Sequence, residues 1–209
     1  MGSAGKSPVR TRAPPRRGAS ARVLRIIGGT WRGRKLRFPD RPDLRPTPDR
    51  VRETLFNWLT PVIDGARCLD LYAGTGALGI EALSRGAATA IFVDEDRQSI
   101  SAIEKNLAKT QLAGRVRQQD VFSFLKNAAA AAEKFQIVFA DPPYDKMKSG
   151  ESFTEKLLDN ETLPRLLEPH GVFVLEKRPS EELPPTKLWQ VSRRKTYGAT
   201  EVLFLSAIE

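Results

Sequence analysis

From residue 66 onward the chain alternates short apolar runs with stretches of helical periodicity, and this alternation constrains the fold more than any other feature. The predicted strands cover residues 67–72, 89–94, 115–119, 136–141 and 171–176, and the predicted helices cover 79–85, 97–107, 121–132 and 153–167. Strands that are joined through helices run parallel in one sheet. The last two predicted strands, 187–197 and 200–207, are joined by the Gly198-Ala199 turn alone, so one of them is antiparallel. We therefore predict an α/β, Rossmann-like fold: a mostly parallel seven-stranded sheet with an antiparallel strand near one edge.

The segment before this pattern predicts an N-terminal β-hairpin. Two β-prone runs flank the Gly28-Gly29 pair, which is typical of a tight turn. Because a two-stranded ribbon is only marginally stable alone, we expect it to pack on the main domain. The chain thus divides into a basic tail that we expect to be disordered (1–21), a hairpin extension (22–45) and an α/β domain (46–209).

A further helix is predicted at the start of the α/β domain. Thr47 is the expected N-cap, and Pro48 suits the first helical position. Apolar side chains then follow at helical spacing until Pro61 ends the run.

The positive charge of the chain is concentrated at its N-terminal end. Residues 1–52 hold 15 Lys and Arg against 3 Asp and Glu, a balance of +12, whereas residues 53–209 hold 19 against 22, a balance of −3. Such a confined basic region is typical of a nucleic-acid contact. For residues 1–21 a solvated tail that aids solubility explains the charge equally well, and their Arg-rich, acid-free composition also resembles an organellar transit peptide.

The composition argues against several classes of protein. The chain has one cysteine, Cys68, and one histidine, His170, so we expect neither an internal disulfide nor a zinc or iron site. It contains no run of about 18 consecutive apolar residues and no apolar stretch after its start, so we expect no membrane span and no secretory signal.

The strongest local motif is a glycine-rich turn between the first strand and helix of the α/β domain. Gly74, Gly76 and Gly79 let the backbone approach a ligand closely, and the helix that follows begins at the same point. Asp94 ends the next strand, where a carboxylate can bind both ribose hydroxyls of an adenosine group. Asp120 ends the third strand and can accept from an adenine amino group, cap the following helix, or do both. Alone, these features also fit a dinucleotide-binding dehydrogenase.

The motif Asp141-Pro142-Pro143-Tyr144 narrows the chemistry. It follows an apolar strand at the carboxyl edge of the sheet, where open α/β sheets bind ligands. The Asp141 carboxylate and the Pro142 carbonyl can accept both N–H bonds of an exocyclic base amine, which directs the nitrogen lone pair towards a methyl donor. Tyr144 can stack on the base. This combination indicates methylation of an amino group on a nucleic-acid base.

Together these motifs resemble class I methyltransferases that act on amino groups, and among them the RsmD family. That family comprises bacterial enzymes that methylate guanine N2 in small-subunit (16S) ribosomal RNA. The resemblance covers about residues 22–207 and is carried by four separate blocks, Arg25–Gly29, Leu44–Thr47, Asp49–Leu59 and Ala73–Leu83. The basic tail before residue 22 departs from the shorter start that is typical of the family.

The resemblance implies a class I methyltransferase fold that uses S-adenosylmethionine, yields S-adenosylhomocysteine and needs no metal. It implies cofactor-binding roles for Asp70, Tyr72, Ala73, Gly74, Thr75, Gly76, Asp94, Asp120 and Val121. It implies catalytic roles for Asp141, Pro142, Pro143 and Tyr144, which hold the target base, and RNA contacts for Arg25, Arg32, Arg34, Lys35 and Arg45 in the hairpin region. For Glu176 and Lys177 it implies no role, and we expect a structural ion pair there.

We therefore expect a monomeric, cytoplasmic enzyme whose partner is ribosomal RNA, either naked or in a 30S assembly intermediate; the transit-peptide resemblance leaves an organellar location as the alternative. Methylation of adenine N6 in RNA or DNA is the alternative reaction. An NAD-type oxidoreductase is the alternative from another class, but it gives no reason for the Asp141–Tyr144 motif and lacks an evident proton-transfer residue. A protein that has the fold and only binds RNA would have no need of that motif either.

Overall fold

The computed structural model describes residues 24–38, 47–144, 150–183 and 185–208. The predicted disordered tail and Arg45 lie outside these residues. The strands are β1 (Leu24–Arg25), β2 (Lys35–Leu36), β3 (Arg67–Leu71), β4 (Thr89–Asp94), β5 (Gly114–Gln118), β6 (Phe135–Ala140), β7 (Leu167–Lys177), β8 (Trp189–Tyr197) and β9 (Thr200–Ala207). The helices are α1 (Asp49–Leu59), α2 (Ala77–Ser84), α3 (Arg97–Thr110), α4 (Val121–Ala130), α5 (Phe153–Leu158) and α6 (Thr162–Arg165).

The main sheet has seven strands in the order β5-β4-β3-β6-β7-β9-β8. The strands from β5 to β7 pair in parallel, and β9 is antiparallel to both β7 and the edge strand β8. This confirms the predicted mostly parallel sheet with an antiparallel strand near one edge. The sequence order reverses between β3 and β6, so the carboxyl ends of these two strands flank a crevice where α/β sheets bind ligands.

The helix predicted over residues 153–167 is divided into α5 and α6. The Asn160 side chain accepts from the backbone N–H groups of Thr162 and Leu163, at 3.0 and 2.9 Å. Because this amide oxygen supplies the acceptor that a helix start needs, a new short helix begins there. The strand predicted over 171–176 is correspondingly longer at its beginning, since β7 starts at Leu167.

The N-terminal hairpin is confirmed as a small antiparallel sheet, but docking on the main domain determines its shape. Its two strands have only two residues each. The connecting loop packs on the end of α2, where the Thr30 N–H donates to the Ser84 carbonyl (2.8 Å) and the Ser84 hydroxyl donates to the Gly28 carbonyl (2.7 Å). A Cβ on Gly29 would lie 1.7 Å from that Ser84 carbonyl oxygen. The Gly28-Gly29 pair is therefore required for close approach to the helix.

A buried ionic network attaches the same segment to α1 and α2. The fully buried Arg52 donates to the Arg25 carbonyl at 2.8 Å and lies 3.7 Å from Glu81. Glu81, also fully buried, accepts from the backbone N–H of Ile27 and from Arg85, both at 2.8 Å. Since removing one member of such a network leaves an unpaired buried charge, we infer that the hairpin and the sheet domain fold together.

The prediction that Thr47 caps α1 was wrong. Pro48 occupies the N-cap position, and its carbonyl accepts from the N–H groups of Val51 and Arg52. The Thr47 hydroxyl instead donates to Oε1 of Glu176, at 2.9 Å. A contact between residues 129 positions apart overrides the local capping preference here.

The single cysteine lies on an interior strand of the sheet. Cys68 on β3 has no exposed surface, and burial raises the pKa of its thiol to about 12. Among the residues that the structure describes, no helix has the length and apolar character needed to cross a membrane.

Candidate active site

The glycine-rich turn connects the carboxyl end of β3 to α2. Gly76 has a φ of 73°, in the left-handed region that favours glycine, and α2 begins at the next residue. Tyr72 also has a positive φ, of 55°. Its hydroxyl is buried and has no hydrogen-bond partner among the described residues. A buried hydroxyl without a partner can bind a polar ligand beside this turn. These residues therefore fit a polar cofactor such as adenosylmethionine.

Asp94 lies at the end of β4 and supports the turn from the side. Its Oδ2 accepts from the Gly74 N–H and its Oδ1 from the Asp96 N–H, both at 2.8 Å. Asp96 itself caps α3 by accepting from the Ser99 N–H at 2.7 Å. The predicted ribose-binding carboxylate is thus adjacent to the glycine-rich turn and helps to fix its shape.

Asp70 and Gly79 form the base of the turn. Oδ2 of the buried Asp70 accepts from the Gly79 N–H at 2.9 Å, and burial raises the pKa of this carboxyl group to about 8. A Cβ on Gly79 would lie 2.3 Å from the Phe92 ring. The third glycine of the motif is therefore explained by packing of α2 on β4, and Asp70 by its bond to that helix. A direct contact of Asp70 with the cofactor remains a prediction.

Asp120 caps α4. It is exposed, and its carboxylate accepts from the Ser123 N–H at 2.8 Å, while Val121 begins the helix with a buried side chain. This is the capping role considered from the sequence. The predicted contact of Asp120 and Val121 with adenine stays a prediction.

The Asp141–Tyr144 motif follows β6 directly. Asp141 is half-buried, Pro142 is buried, and Pro143 and Tyr144 are exposed. Loss of solvation raises the pKa of Asp141 to about 7. The Arg178 guanidinium lies 4.5 Å from the centre of the Tyr144 ring. Tyr144 thus presents part of its ring at the surface, as a stacking residue must, although one cation already contacts it.

The structure adds Glu176, which had no predicted role, to this group. The β6–β7 register pairs Ala140 with Leu175, so Asp141 and Glu176 follow at neighbouring positions on adjacent parallel strands. Glu176 is buried, and burial together with the nearby Asp141 raises its pKa well above the usual value. The expected Glu176–Lys177 ion pair is wrong, because Lys177 pairs with Glu201 at 2.9 Å. Adjacent residues of a strand face opposite sides of the sheet, which separates Glu176 from Lys177.

The predicted RNA-contact residues lie in the hairpin region, with Arg45 outside the described residues. Arg32, Arg34 and Lys35 are exposed, and the Arg34 guanidinium lies over the Trp31 ring at 4.0 Å. Arg25 is 61% exposed and pairs with Asp49 at 2.9 Å. Arg32 and Arg34 lie in the loop before the two-residue β2, and their side chains are exposed to solvent.

Asn106 on α3 links the hairpin to the glycine-rich turn, and sequence reasoning missed it. Its amide accepts from the Arg37 N–H at 2.7 Å, donates to the Arg37 carbonyl at 3.0 Å, and approaches the Thr75 carbonyl at 3.5 Å. The side chain is fully buried. The signal in the sequence was an asparagine on the apolar side of α3, among Ile103 and Leu107.

Across residues 24–38, 47–144, 150–183 and 185–208, no group of three or more His, Cys, Asp and Glu side chains is arranged to hold a metal ion. The candidate site is the glycine-rich turn, Asp94 and the Asp141–Tyr144 motif, which lie together at the carboxyl edge of the sheet.

Comparison with known proteins identifies relatives of this arrangement. The family model described as Conserved hypothetical protein 95 matches residues 24–206. The chain is 56% identical over 122 residues to Ribosomal RNA small subunit methyltransferase D of Escherichia coli K12, a match that covers 58% of this chain and 60% of that protein. It is 38% identical to the protein of the same name from Haemophilus influenzae over 178 residues, which cover 84% of this chain and 89% of the relative.

Solved structures agree with the fold. A hypothetical protein of Thermus thermophilus is 33% identical, with a TM-score of 0.74, and the match covers 88% of this chain and 99% of that one. The sheet of this chain is that of the class I methyltransferase fold, which solved methyltransferase structures share.

Proposed function

Since the chain belongs to the Conserved hypothetical protein 95 family, which is the RsmD family, we propose that it methylates small-subunit ribosomal RNA. The methyl group comes from S-adenosylmethionine, and the acceptor is the exocyclic N2 amine of a specific guanine in 16S RNA. The observation that carries this proposal is the position of Asp141-Pro142 at the carboxyl end of β6, beside the glycine-rich turn after β3.

The turn and Asp94 fit the cofactor. The helix start after Gly76 favours the polar methionine end. Asp94 binds the ribose hydroxyls in this proposal, which is supported by its position at the end of β4 and by its hydrogen bond from the Gly74 N–H. Adenosylmethionine supplies an electrophilic methyl group when bound, and adenosylhomocysteine is the product.

Asp141 and the Pro142 carbonyl orient the acceptor amine. When both accept from its N–H groups, the nitrogen lone pair points towards the methyl carbon. The new C–N bond forms as the C–S bond breaks, and one amine proton leaves. Asp141, whose pKa is raised to about 7, can hold this proton before it passes to solvent.

The exposed cations of the hairpin region fit the RNA backbone. Residues 53–209 have a net charge of −3, so a separate cationic surface must hold the substrate phosphates. Arg25, Arg32, Arg34 and Lys35 provide it, with Arg45 as a further candidate. We propose that the enzyme acts as a monomer in the bacterial cytoplasm, with a 30S assembly intermediate as substrate.

The proposed reaction is tested by incubating the protein and adenosylmethionine with unmethylated small-subunit RNA and with 30S particles, followed by nucleoside mass spectrometry. We expect N2-methylguanosine at one position. N6-methyladenosine would instead support the alternative reaction, and binding of NAD but not adenosylhomocysteine in calorimetry would support an oxidoreductase.

We expect Asp94→Ala to weaken adenosylhomocysteine binding by about 10- to 100-fold, the scale of one or two charge-assisted hydrogen bonds. Both the ribose contact and the Gly74 anchor are lost in this variant. Isothermal titration calorimetry measures the effect. Glu95→Ala is the matched control, because it removes the adjacent exposed carboxylate. Equal affinities of the two variants would exclude Asp94 from the site.

We expect replacement of Arg32, Arg34 and Lys35 together by alanine to weaken RNA binding and to flatten its dependence on salt. Each lost phosphate contact lowers the slope of log affinity against log salt by about 0.7–0.9. The matched control replaces Arg115, Arg117 and Lys126, which are also exposed but lie on β5 and α4. If both triple variants lose the same affinity, the effect reflects net charge and the hairpin is not the RNA contact.

A further inference from the structure

We propose that Glu176 determines the specificity for guanine by accepting a hydrogen bond from N1–H of the target base. This inference rests on the proposed guanine-N2 methylation. It goes beyond that function by naming the residue that distinguishes guanine, whose N1 is a donor, from adenine, whose N1 is an acceptor.

The position of Glu176 is set by strand register. Asp141 and Glu176 each follow the paired residues Ala140 and Leu175, so their backbones are neighbours, at about the 4.8 Å spacing of adjacent strands. Side chains two positions apart on a strand share a face of the sheet. Asp141 is therefore on the same face as Phe139, and Glu176 on the same face as Val174. Phe139 and Val174 pack in one core cluster, beneath α1 and α2. The two carboxylates therefore share one face of the sheet at its carboxyl edge.

The hydrogen bonding of Glu176 leaves an acceptor available. Oε1 accepts from the Thr47 hydroxyl at 2.9 Å, and Oε2 has no hydrogen-bond partner among the described residues. The residue is only 2% exposed, but Oε2 is not among the fully buried side-chain atoms that lack a partner, so this oxygen keeps access to the edge of the sheet. Lys177, the neighbouring cation, is engaged with Glu201. Thr47 thus fixes one oxygen of Glu176, and among the described residues the other is open to a donor from the target base.

Guanine has the complementary edge. Its N1–H and its N2 amine are adjacent donors, so a base whose amine is held by Asp141 presents N1–H to the neighbouring carboxylate. Adenine would place an acceptor against that carboxylate, and two facing acceptors repel each other. Burial raises the pKa values of both Asp141 and Glu176, and the charge of Asp141 raises that of Glu176 further, so two hydrogen-bond donors from guanine would favour the ionised pair.

The test compares RNA that carries guanine at the mapped target with the same RNA carrying 2-aminopurine, which keeps the N2 amine but has an unprotonated N1. For the wild-type protein we expect kcat/KM for 2-aminopurine to be at least about 100-fold lower than for guanine. For Glu176→Gln we expect this ratio to fall below about 10, because the amide can either accept from N1–H or donate to N1. The fluorescence of 2-aminopurine reports binding independently of methylation.

Two further variants keep the test decisive. Glu201→Gln replaces another buried glutamate on the neighbouring strand and should leave the guanine preference unchanged. Thr47→Val removes the hydrogen bond that fixes Glu176 and leaves the carboxylate in place. It therefore tests the same residue if Glu176→Gln does not fold. We expect a reduced preference for guanine over 2-aminopurine in this variant.

The inference is overturned if Glu176→Gln, or Thr47→Val in its place, leaves the ratio of kcat/KM for guanine and 2-aminopurine at the wild-type value. An equal loss of activity on both RNAs gives that result and indicates a purely structural role. Failure of the proposed function is a different result, since the wild-type protein would then form no N2-methylguanosine at all.

Discussion

Replacing Asp141 by alanine should lower kcat by about 10²–10³-fold and leave the affinity for adenosylhomocysteine nearly unchanged. The carboxylate follows β6, where it contacts the acceptor amine in the proposed mechanism, whereas the cofactor is held by the turn after β3 and by Asp94. Single-turnover methylation and calorimetry on the same preparation separate the two quantities. A variant that methylates at the wild-type rate would remove Asp141 from the mechanism.

The pH dependence provides an independent check on the same residue. Only the ionised carboxylate accepts from the amine without competing as a donor, and the pKa of Asp141 is raised to about 7. The rate should therefore increase as the pH rises through about 7, and it should fall as the pH drops below that value. An asparagine at position 141 cannot titrate. The rate of the Asp141→Asn variant should be lower, and it should no longer rise with pH around 7.

The second large effect concerns stability. We expect Gly29→Ala to lower the free energy of unfolding by about 3–5 kcal/mol, since it combines left-handed backbone strain with the loss of two or three hydrogen bonds. Gly29 has a φ of 74°, and its added Cβ would lie 1.7 Å from the Ser84 carbonyl oxygen. The loop must move away from α2, which breaks the bonds of Thr30 and Trp31 to Ser84. Urea denaturation measures the change.

Gly33→Ala is the matched control for this prediction. Gly33 lies in the same loop with a φ of 83°, but a Cβ added to it would have no atom of the described residues within 4 Å. Only the backbone strain remains, about 1–2 kcal/mol. If the two variants are equally destabilised, close packing of the loop on α2 contributes nothing to stability.

Much of the fold was predictable because it depends on local periodicity. Buried parallel strands such as β6 are continuous apolar runs, and the helices between them have an apolar face, so each element is evident from its own residues. The break between α5 and α6 was not predicted, because it depends on one amide, Asn160, that competes for backbone donors. The capping error at Thr47 has a similar origin, in a partner 129 residues away.

The residues of the candidate site were likewise predictable only in part. The glycine-rich turn, Asp94 and the Asp141–Tyr144 motif are contiguous or strand-ending residues, and the sheet topology brings their strands together. Glu176 and Asn106 were not assigned, because each acts through contacts made only in the folded chain. Neither a buried acid at a strand end nor an asparagine within a helix indicates its partner from sequence alone.

The burial of Cys68 has a practical consequence. It is the single cysteine of the chain, it lies in the interior strand β3 with no exposed surface, and its raised pKa keeps the thiol protonated. Alkylating reagents react with thiolate, so the native protein should resist them and modification should require opening of the sheet. The labelling rate in native buffer would therefore report the frequency of that opening without any denaturant. For the same reason, a cysteine introduced at the surface could carry a fluorophore with little background labelling.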